Sequence, residues 1–239
     1  MKRSVRSRDL SKAFEPLNNL QNVPYRLNKK LYEVMQWAWE NDLSIGAMQK
    51  SQLLEPLDPV EGLVQKDPEA FIEWKKKAKY IYEFNQRTNG QRMRCLKILH
   101  VCKLYADKEK LFFPVQMDYR GRVYYVPSYV NPQSCDLGRS CLEFYNSVAI
   151  TNEEESRWLL IHGANVWGTK GTYDERIAWI KDHENEIKEC ASDPFNNDYW
   201  QEASDPWAFL AFCFEYQAFK EEGYGFETRL PCHMDATCN

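Results

Sequence analysis

The feature that most constrains the fold is an apolar run near the end of the chain, DPWAFLAFCFEYQAF at positions 205–219. Aspartate followed by proline is typical of a helix start, with Asp205 as the N-cap and Pro206 in the first turn. The residues that follow are apolar on nearly every side of a helix, and such a helix must be surrounded by protein. The chain is therefore predicted to fold around this segment as a buried spine.

Helical patterns dominate the rest of the chain. NKKLYEVMQWAWEN, at 28–41, places its apolar side chains on one side of a helix. A proline-rich connector at 53–68 separates it from two predicted basic helices, residues 69–86 and about 90–106, which are expected to lie antiparallel after a start at Asp67 and Pro68. Further helices are predicted around 153–167 and, after a capping box of Thr172 and Glu175, up to about Ala191.

A different pattern occurs in the middle of the chain. FFPVQMDYRGRVYYVPSYVNP, at 112–132, is rich in Val, Tyr and Phe and is punctuated by glycine and proline. It predicts a strand, a turn at Arg120–Gly121 and a second strand at 123–126. The expected fold class is therefore α+β, mainly α with a small antiparallel β element.

The charges are distributed unevenly along the chain. Residues 1–110 contain 21 Lys and Arg against 14 Asp and Glu, whereas residues 111–239 contain 10 against 21. A polyanionic partner is therefore expected to meet the first half. Solvated faces of charged helices would give the same imbalance without any partner.

The cysteines and the hydropathy exclude several classes of protein. The eight cysteines include no C-x-x-C pair, which indicates buried thiols in a reducing compartment. A zinc site at Cys232, His233 and Cys238 is the alternative, although its spacing matches no common zinc motif. No run approaches the ~18–20 apolar residues of a membrane span, and the basic start lacks a secretory apolar segment. A cytoplasmic protein without membrane contact is expected.

Five segments, taken in order, resemble one protein family. They are QNVPYRLNKKLYEVM, MDYRGRVYYVPSYVNPQ, LLIHGAN, DPFNNDYWQEASDPWAFLAFCFEY and LPCHMDATCN. These segments are similar to successive parts of the single-subunit, bacteriophage-type DNA-dependent RNA polymerases of phages and mitochondria, through about residues 18–239. The resemblance implies thumb helices and a partial palm of the right-hand polymerase fold.

The family's D-x-x-G-R motif corresponds to Asp118, Arg120, Gly121 and Arg122. The resemblance implies that this motif contacts the template strand and the RNA–DNA hybrid, with an arginine oriented by the nearby aspartate. An internal salt bridge between Asp118 and Arg122 that closes the turn is the alternative, and both can hold together. The basic helix adds three further candidate phosphate ligands, Arg92, Arg94 and Lys97.

The last ten residues resemble the first catalytic motif of the polymerase palm. The resemblance implies that the Asp235 carboxylate and the Ala236 backbone carbonyl hold two Mg²⁺ ions. The family usually has glycine where this chain has Ala236, but a backbone contact survives that change. Lys170 lies near a family position whose lysine approaches the nucleotide phosphates, with a solvated loop lysine as the alternative.

The resemblance divides the chain into three parts: residues 1–28 as the end of an N-terminal domain, 29–110 as the thumb-like region, and 111–239 as the N-terminal palm. It implies template-directed RNA synthesis with a DNA template, an RNA transcript, nucleoside triphosphates and Mg²⁺, in a host cytoplasm if phage-encoded. Family motifs beyond Asp235 are missing, so we expect a break inside a palm and an inactive chain unless a second chain supplies them. A non-catalytic nucleic-acid-binding module that keeps the hybrid-gripping surface, or a purely structural helical protein, are the alternatives.

Overall fold

The structure is a computed structural model, and it describes residues 11–59 and 67–232. Its helices are α1 Ser11–Gln21, α2 Lys29–Glu40, α3 Pro68–Tyr105, α4 Asp136–Ser140, α5 Glu153–Trp167, α6 Tyr173–Asp182, α7 Glu184–Ser192 and α8 Pro206–Glu222, with a 3₁₀ helix at Tyr199–Glu202. Its strands are β1 Tyr25–Leu27, β2 Val115–Met117, β3 Val123–Tyr125, β4 Leu142–Phe144, β5 Val148–Ala149 and β6 Glu227–Thr228. The predicted fold class, mainly α with small antiparallel β elements, is confirmed.

Helix α8 is the buried spine that its composition predicts. Every residue from Pro206 to Cys213 is buried, and Tyr216 one turn later is buried as well. Helices α5 and α7 and the 3₁₀ helix pack around it. Trp200, Trp207, Phe209 and Phe212 are fully buried there, so aromatic packing around α8 forms the centre of the core.

The N-terminus of α8 is capped by a different side chain from the predicted one. Asp205 occupies the N-cap position, but its side chain makes no capping hydrogen bond and instead forms an ion pair with Arg139 at 2.7 Å. The Asp136 carboxylate of α4 accepts hydrogen bonds from the backbone N–H groups of Trp207 (2.9 Å) and Ala208 (3.1 Å). Burial raises the pKa of Asp136. A tertiary contact therefore replaces the local cap, and sequence spacing could not have shown it.

Helix α3 is one continuous helix, and the prediction of two antiparallel basic helices is wrong. Its start is as predicted, because the Asp67 side chain accepts a hydrogen bond from the Ala70 N–H at 3.0 Å with Pro68 in the first turn. Gly90 costs a helix interior only about 1 kcal/mol relative to alanine and supplies no reason for the chain to reverse. The helix therefore runs through it for 38 residues.

The two halves of α3 have different surroundings. All of its buried residues, which begin at Thr88, lie in the C-terminal half. The N-terminal half is accompanied by the described part of the proline-rich connector, where the Asn85 side chain makes two hydrogen bonds with the Leu54 backbone and the Trp74 Nε1–H donates to the Asp58 carbonyl. Half of α3 therefore extends away from the core.

A second predicted helix is divided in the structure. The capping box is formed as predicted, with Thr172 and Glu175 each bonded to the other's backbone N–H. The helix that it begins ends at Asp182, and α7 starts at Glu184. His183 serves as the C-cap of one helix and the N-cap of the next, with an imidazole nitrogen 2.8 Å from the Trp179 carbonyl oxygen. The segment up to Ala191 is therefore two short helices.

The strands form three antiparallel pairs. Strand β1 pairs with β4, with Tyr25 opposite Phe144, and β5 pairs with β6, with Val148 opposite Thr228. Strands β2 and β3 form a separate hairpin with Val115 opposite Tyr125. The predicted strand–turn–strand is confirmed.

The prediction of buried thiols is confirmed for five of the seven described cysteines. The seven described cysteines are free, and all but Cys135 and Cys232 are buried. His233 and Cys238, which the zinc alternative requires, lie outside the described residues. Within the described ranges, no helix is both long and apolar enough to cross a membrane.

One partly buried carboxylate predicts a pH dependence of folding. The Glu184 carboxylate binds Lys188 Nζ at 2.6 Å, Lys220 Nζ at 3.0 Å and the Tyr216 hydroxyl at 3.1 Å, which ties α7 to α8. The hydrogen bond from Lys188, with those from Lys220 and Tyr216, lowers the pKa of Glu184 from 4.5 to about 2. A lowered carboxyl pKa stabilises the fold above the unfolded-state pKa, and the contribution is lost as the pH falls towards the folded-state value.

We therefore expect Glu184→Gln to lower the free energy of unfolding at pH 7 and to lower it progressively less as the pH falls from about 4.5 towards 2. Urea unfolding at several pH values in this range measures the difference. Glu189→Gln, at an exposed position on the same helix, is the control. A Glu184→Gln effect that is constant between pH 7 and pH 3 would contradict the expectation.

Candidate nucleic-acid interface

The turn between β2 and β3 presents the predicted arginines. Asp118 Oδ1 accepts hydrogen bonds from the backbone N–H groups of Arg120 (2.8 Å) and Arg122 (3.0 Å). Gly121 has φ +83°, a left-handed conformation that glycine adopts without strain. The Asp118 side chain thus shapes the turn by binding its backbone, which leaves the guanidinium groups outside it.

The side chains of this turn are exposed. Arg120 Nε–H donates to the Tyr119 hydroxyl at 2.8 Å, and its guanidinium lies 5.1 Å from the Tyr119 ring centroid. Tyr119 itself is 75% exposed. Among the described residues, no ion pair joins Asp118 to Arg122, so the structure does not form the alternative of an internal salt bridge. An exposed Tyr–Arg–Gly–Arg tip of this kind can contact phosphates and stack on a base.

The base of the hairpin is packed into the protein. The Tyr125 ring lies edge-on to Phe113 at 6.1 Å, and Phe113 in turn lies edge-on to Tyr25 at 5.4 Å. Tyr25 is on β1, which belongs to a different strand pair. The hairpin therefore has a fixed base and an exposed tip.

The three cationic candidates on α3 differ in their availability. Arg92 makes internal contacts, with Nη1 2.7 Å from Asp42 Oδ1 and 2.6 Å from the Gln49 carbonyl oxygen, and its guanidinium lies 4.5 Å from the Trp39 ring. Arg94 is exposed. Lys97 is also exposed, and its Nζ lies 5.3 Å from the ring of Tyr129, in the loop that follows β3. Arg92 is therefore placed to fix the 42–49 loop against α3, while Arg94 and Lys97 face solvent.

The structure gives less information on the candidate residues for binding nucleotide phosphates and metal. Lys170 is exposed in the loop between α5 and α6. Asp235 and Ala236 lie outside the described residues, so the structure does not test their role. In the described ranges, no group of three or more His, Cys, Asp and Glu side chains is arranged to hold a metal ion.

Sequence reasoning missed the aromatic partners of the exposed basic residues, Tyr119 and Tyr129. Tyr119 lies inside the quoted D-x-x-G-R motif, and its exposure beside an arginine is a signal that the sequence contains. Tyr129 is 32 positions from Lys97, and no local pattern connects them. Only the fold brings the loop after β3 to the basic face of α3.

The geometry of the turn predicts different effects on stability for substitutions of Asp118 and Arg122. Because the Asp118 carboxylate accepts two backbone hydrogen bonds, we expect Asp118→Ala to destabilise the protein or its hairpin by about 0.5–2 kcal/mol, as for loss of a helix cap. We expect Arg122→Ala to change stability by less than about 0.5 kcal/mol, because its exposed side chain has no carboxylate partner among the described residues. Thermal unfolding of both variants measures this. Equal destabilisation would show that the Arg122 side chain closes the turn.

Comparison with known proteins agrees with the order of the motifs. A family model described as DNA-dependent RNA polymerase matches residues 150–239. The DNA-directed RNA polymerase of Enterobacteria phage T3 is 34% identical over 235 residues, which cover 96% of this chain and 26% of the phage protein. T7 RNA polymerase of Escherichia phage T7 is 32% identical with the same coverage.

An organellar protein matches as well. The mitochondrial DNA-directed RNA polymerase of Neurospora crassa is 31% identical over 97% of this chain, which covers 16% of that protein. The chain thus spans about a quarter or less of the length of these relatives. The chain is a relative of the single-subunit, bacteriophage-type DNA-directed RNA polymerases.

Proposed function

We propose that this chain is the thumb and N-terminal palm portion of a DNA-directed RNA polymerase, with the thumb at 29–110 and the palm from 111 onwards. The observation that carries the proposal is the alignment with phage polymerases over 96% of the chain. The whole enzyme would transfer nucleoside monophosphates from triphosphates to a growing RNA on a DNA template. Residues 1–28 would be the end of a preceding N-terminal domain.

The proposed role of the hairpin is to hold the template and the RNA–DNA hybrid. Asp118 and Gly121 shape the turn, and Arg120 and Arg122 are exposed at its tip. Contacts of this kind position the nucleic acid through its backbone and give little sequence preference. The exposed Arg94 and Lys97 of α3 would add further contacts with the nucleic-acid backbone.

The proposed catalytic group is Asp235, with the backbone carbonyl of Ala236 beside it. A carboxylate and a carbonyl are the oxygen ligands that Mg²⁺ prefers, so the donor set fits this metal. Bound Mg²⁺ ions would supply activation of the RNA 3′-hydroxyl and stabilisation of the leaving pyrophosphate. Lys170 would bind the nucleotide phosphates through its exposed ammonium group.

Each Mg²⁺ needs near-octahedral oxygen coordination, and the chain offers one candidate carboxylate at this site. We therefore propose that the 239-residue polypeptide requires the other polymerase motifs, in the same or a second chain, for activity. Cytoplasm is the proposed compartment, as for an enzyme that a phage makes in its host. The relative named mitochondrial gives an organelle as the alternative.

A second candidate function is a non-catalytic module that binds nucleic acid. The exposed arginines of the turn and the solvent-facing cations of α3 favour it, because they need no metal to bind a phosphate backbone. RNA synthesis by a reconstituted enzyme separates the two candidates, since only the polymerase portion would support it.

Both functions predict salt-dependent binding of an RNA–DNA hybrid through the hairpin. We expect Arg120→Ala/Arg122→Ala to weaken hybrid affinity at least about tenfold at low salt and to reduce the slope of log K against log salt by up to about 2, roughly one for each phosphate that is no longer bound. Fluorescence anisotropy at rising NaCl measures both. Lys181→Ala, which removes an exposed cation from α6, is the matched control and should bind like the wild type.

Wild-type binding that is undetectable at low salt would contradict both candidate functions. If Arg120→Ala/Arg122→Ala binds the hybrid with an unchanged salt slope, then the hairpin arginines do not supply the phosphate contacts. The cations of α3 would then be the remaining candidates.

A further inference from the structure

The hairpin of β2 and β3 is small for the role proposed for it. Each strand has three residues, and among the described strands each pairs only with the other. A two-stranded hairpin is marginally stable in water, because both of its outer edges leave backbone N–H and C=O groups without sheet partners. Something else must hold the exposed tip at a fixed angle if its arginines are to meet a phosphate backbone reproducibly.

The outer edge of β3 is covered by a side chain from the following loop. Gln133 Oε1 accepts a hydrogen bond from the Tyr125 N–H at 3.2 Å, and Gln133 Nε2 donates one to the Val123 carbonyl at 3.1 Å. Residues 123 and 125 flank Tyr124, which pairs with Gln116 on the inner side. The Gln133 carboxamide therefore takes the place that a peptide group of a third strand would occupy.

The loop that carries Gln133 is itself fixed. The buried Asn131 side chain accepts a hydrogen bond from the Gln133 N–H at 2.7 Å and donates one to the Pro127 carbonyl at 2.6 Å. The Ser134 hydroxyl donates to the Tyr129 carbonyl at 2.6 Å. Because these contacts determine where the Gln133 backbone lies, its side chain can act as a rigid support for β3.

The opposite edge of the hairpin has a similar contact. Gln21, the last residue of α1, accepts a hydrogen bond from the Val115 N–H at 3.2 Å through Oε1. Two glutamines from segments far apart in sequence thus flank the hairpin, one at each outer edge. Gln133 makes two of the three bonds and supports the strand that follows Arg122 directly.

We propose that Gln133 is a positioning residue that sets the angle of the hairpin and thereby places Arg120 and Arg122 on the nucleic acid. This inference rests on the proposed function of the hairpin. Gln133 acts through the arginines and does not itself contact the ligand. Because its hydrogen bonds lie at the exposed edge of the hairpin, they contribute little to global stability. The Gln133 hydrogen bonds instead determine the orientation of β3.

The test is a double-mutant cycle measured by RNA–DNA hybrid affinity. We expect Gln133→Ala to weaken binding about threefold to tenfold in the wild-type background and to have no further effect in Arg120→Ala/Arg122→Ala. Gln116→Ala is the matched control, because this exposed glutamine of β2 has no side-chain hydrogen bond within the described residues. It should leave the affinity unchanged.

Amide hydrogen exchange gives a second readout, independent of any ligand. Gln133→Ala should accelerate exchange at the Tyr125 amide and leave the Tyr124 amide, which faces β2, protected. The melting temperature should fall by no more than several degrees, since only two hydrogen bonds at an exposed edge are removed.

The outcomes separate this inference from the proposed function. Suppose that the wild type binds the hybrid and Arg120→Ala/Arg122→Ala binds weakly, but Gln133→Ala binds like the wild type. The positioning role of Gln133 is then wrong, and the proposal that the hairpin arginines bind the hybrid is supported. If Gln133→Ala weakens binding equally in both backgrounds, Gln133 does not act through the arginines. No binding by the wild type would instead overturn the proposed function, and the exchange result would still decide whether Gln133 supports β3.

Discussion

Asp235→Asn is expected to abolish RNA synthesis when this chain is combined with a polypeptide that supplies the remaining palm and fingers motifs of a phage relative. A carboxylate that binds both Mg²⁺ ions contributes several kcal/mol to stabilising charge in the transition state, and loss of about 4 kcal/mol corresponds to roughly a 10³-fold slower reaction. Incorporation of labelled nucleotide on a primed DNA template, with Mg²⁺ and nucleoside triphosphates, measures the rate.

Three controls define the experiment. Asp182→Asn removes an exposed carboxylate from the end of α6 and should leave the rate unchanged. Ala236→Gly should also retain activity, because the proposed metal contact at this position is a backbone carbonyl. The 239-residue polypeptide alone should make no RNA, because it offers one candidate carboxylate for two ions.

Two results would contradict the assignment of Asp235. One is RNA synthesis by the 239-residue polypeptide without a second component. The other is full activity of the Asp235→Asn mixture. A wild-type mixture that binds the RNA–DNA hybrid but makes no RNA would favour the non-catalytic module.

The candidate site could be predicted from the sequence only where it is local. The turn at Arg120–Gly121 follows from residue types that occur together, and the structure has it as expected. The role of the Asp118 carboxylate as a backbone acceptor was not predicted, because a salt bridge to Arg122 explains the same residues equally well. Spacing shows which groups lie close together, but it does not show which hydrogen-bonding partner a carboxylate has.

The contacts that the sequence could not supply are those between distant segments. Asp136 caps a helix that begins 70 positions later, and Gln21 reaches the hairpin across 94 positions of sequence. The place of Arg92 on a basic helix predicts a phosphate ligand, yet its guanidinium is held by Asp42 and the Gln49 carbonyl. Residue type indicates what a side chain can bind, whereas the fold decides what is within its reach.

Two glycines illustrate the same limit in the helices. Gly90 lies inside α3, where a Cβ would meet no atom within 4 Å. Gly163 lies inside α5, where a Cβ would overlap the ring of Phe212 on α8. The sequence gives no indication of which glycine is free to change, because the difference lies in the neighbouring helix.

Gly90→Ala and Gly163→Ala are therefore expected to change stability in opposite directions. Alanine is favoured over glycine in a helix interior by about 0.5–1 kcal/mol, so Gly90→Ala should raise the free energy of unfolding by that amount. Phe212 is fully buried, with its ring centroid 5.8 Å from that of Phe209 and 5.5 Å from that of Tyr216. Because a buried ring packed against two other aromatic rings is costly to displace, Gly163→Ala should lower the free energy of unfolding by about 1–3 kcal/mol despite the better helix propensity.

Urea denaturation of the two variants measures this difference, and a compensating change identifies its cause. Phe212→Leu destabilises the core by itself, but in the Gly163→Ala background it removes the ring that the new methyl group meets. The double variant should therefore be more stable than the sum of the two single effects predicts, by about 0.5–3 kcal/mol. Stabilisation by Gly163→Ala of the same size as that by Gly90→Ala would mean that α5 and α8 are not packed as closely as the overlap requires. Strict additivity with Phe212→Leu would mean that the methyl group meets something other than this ring.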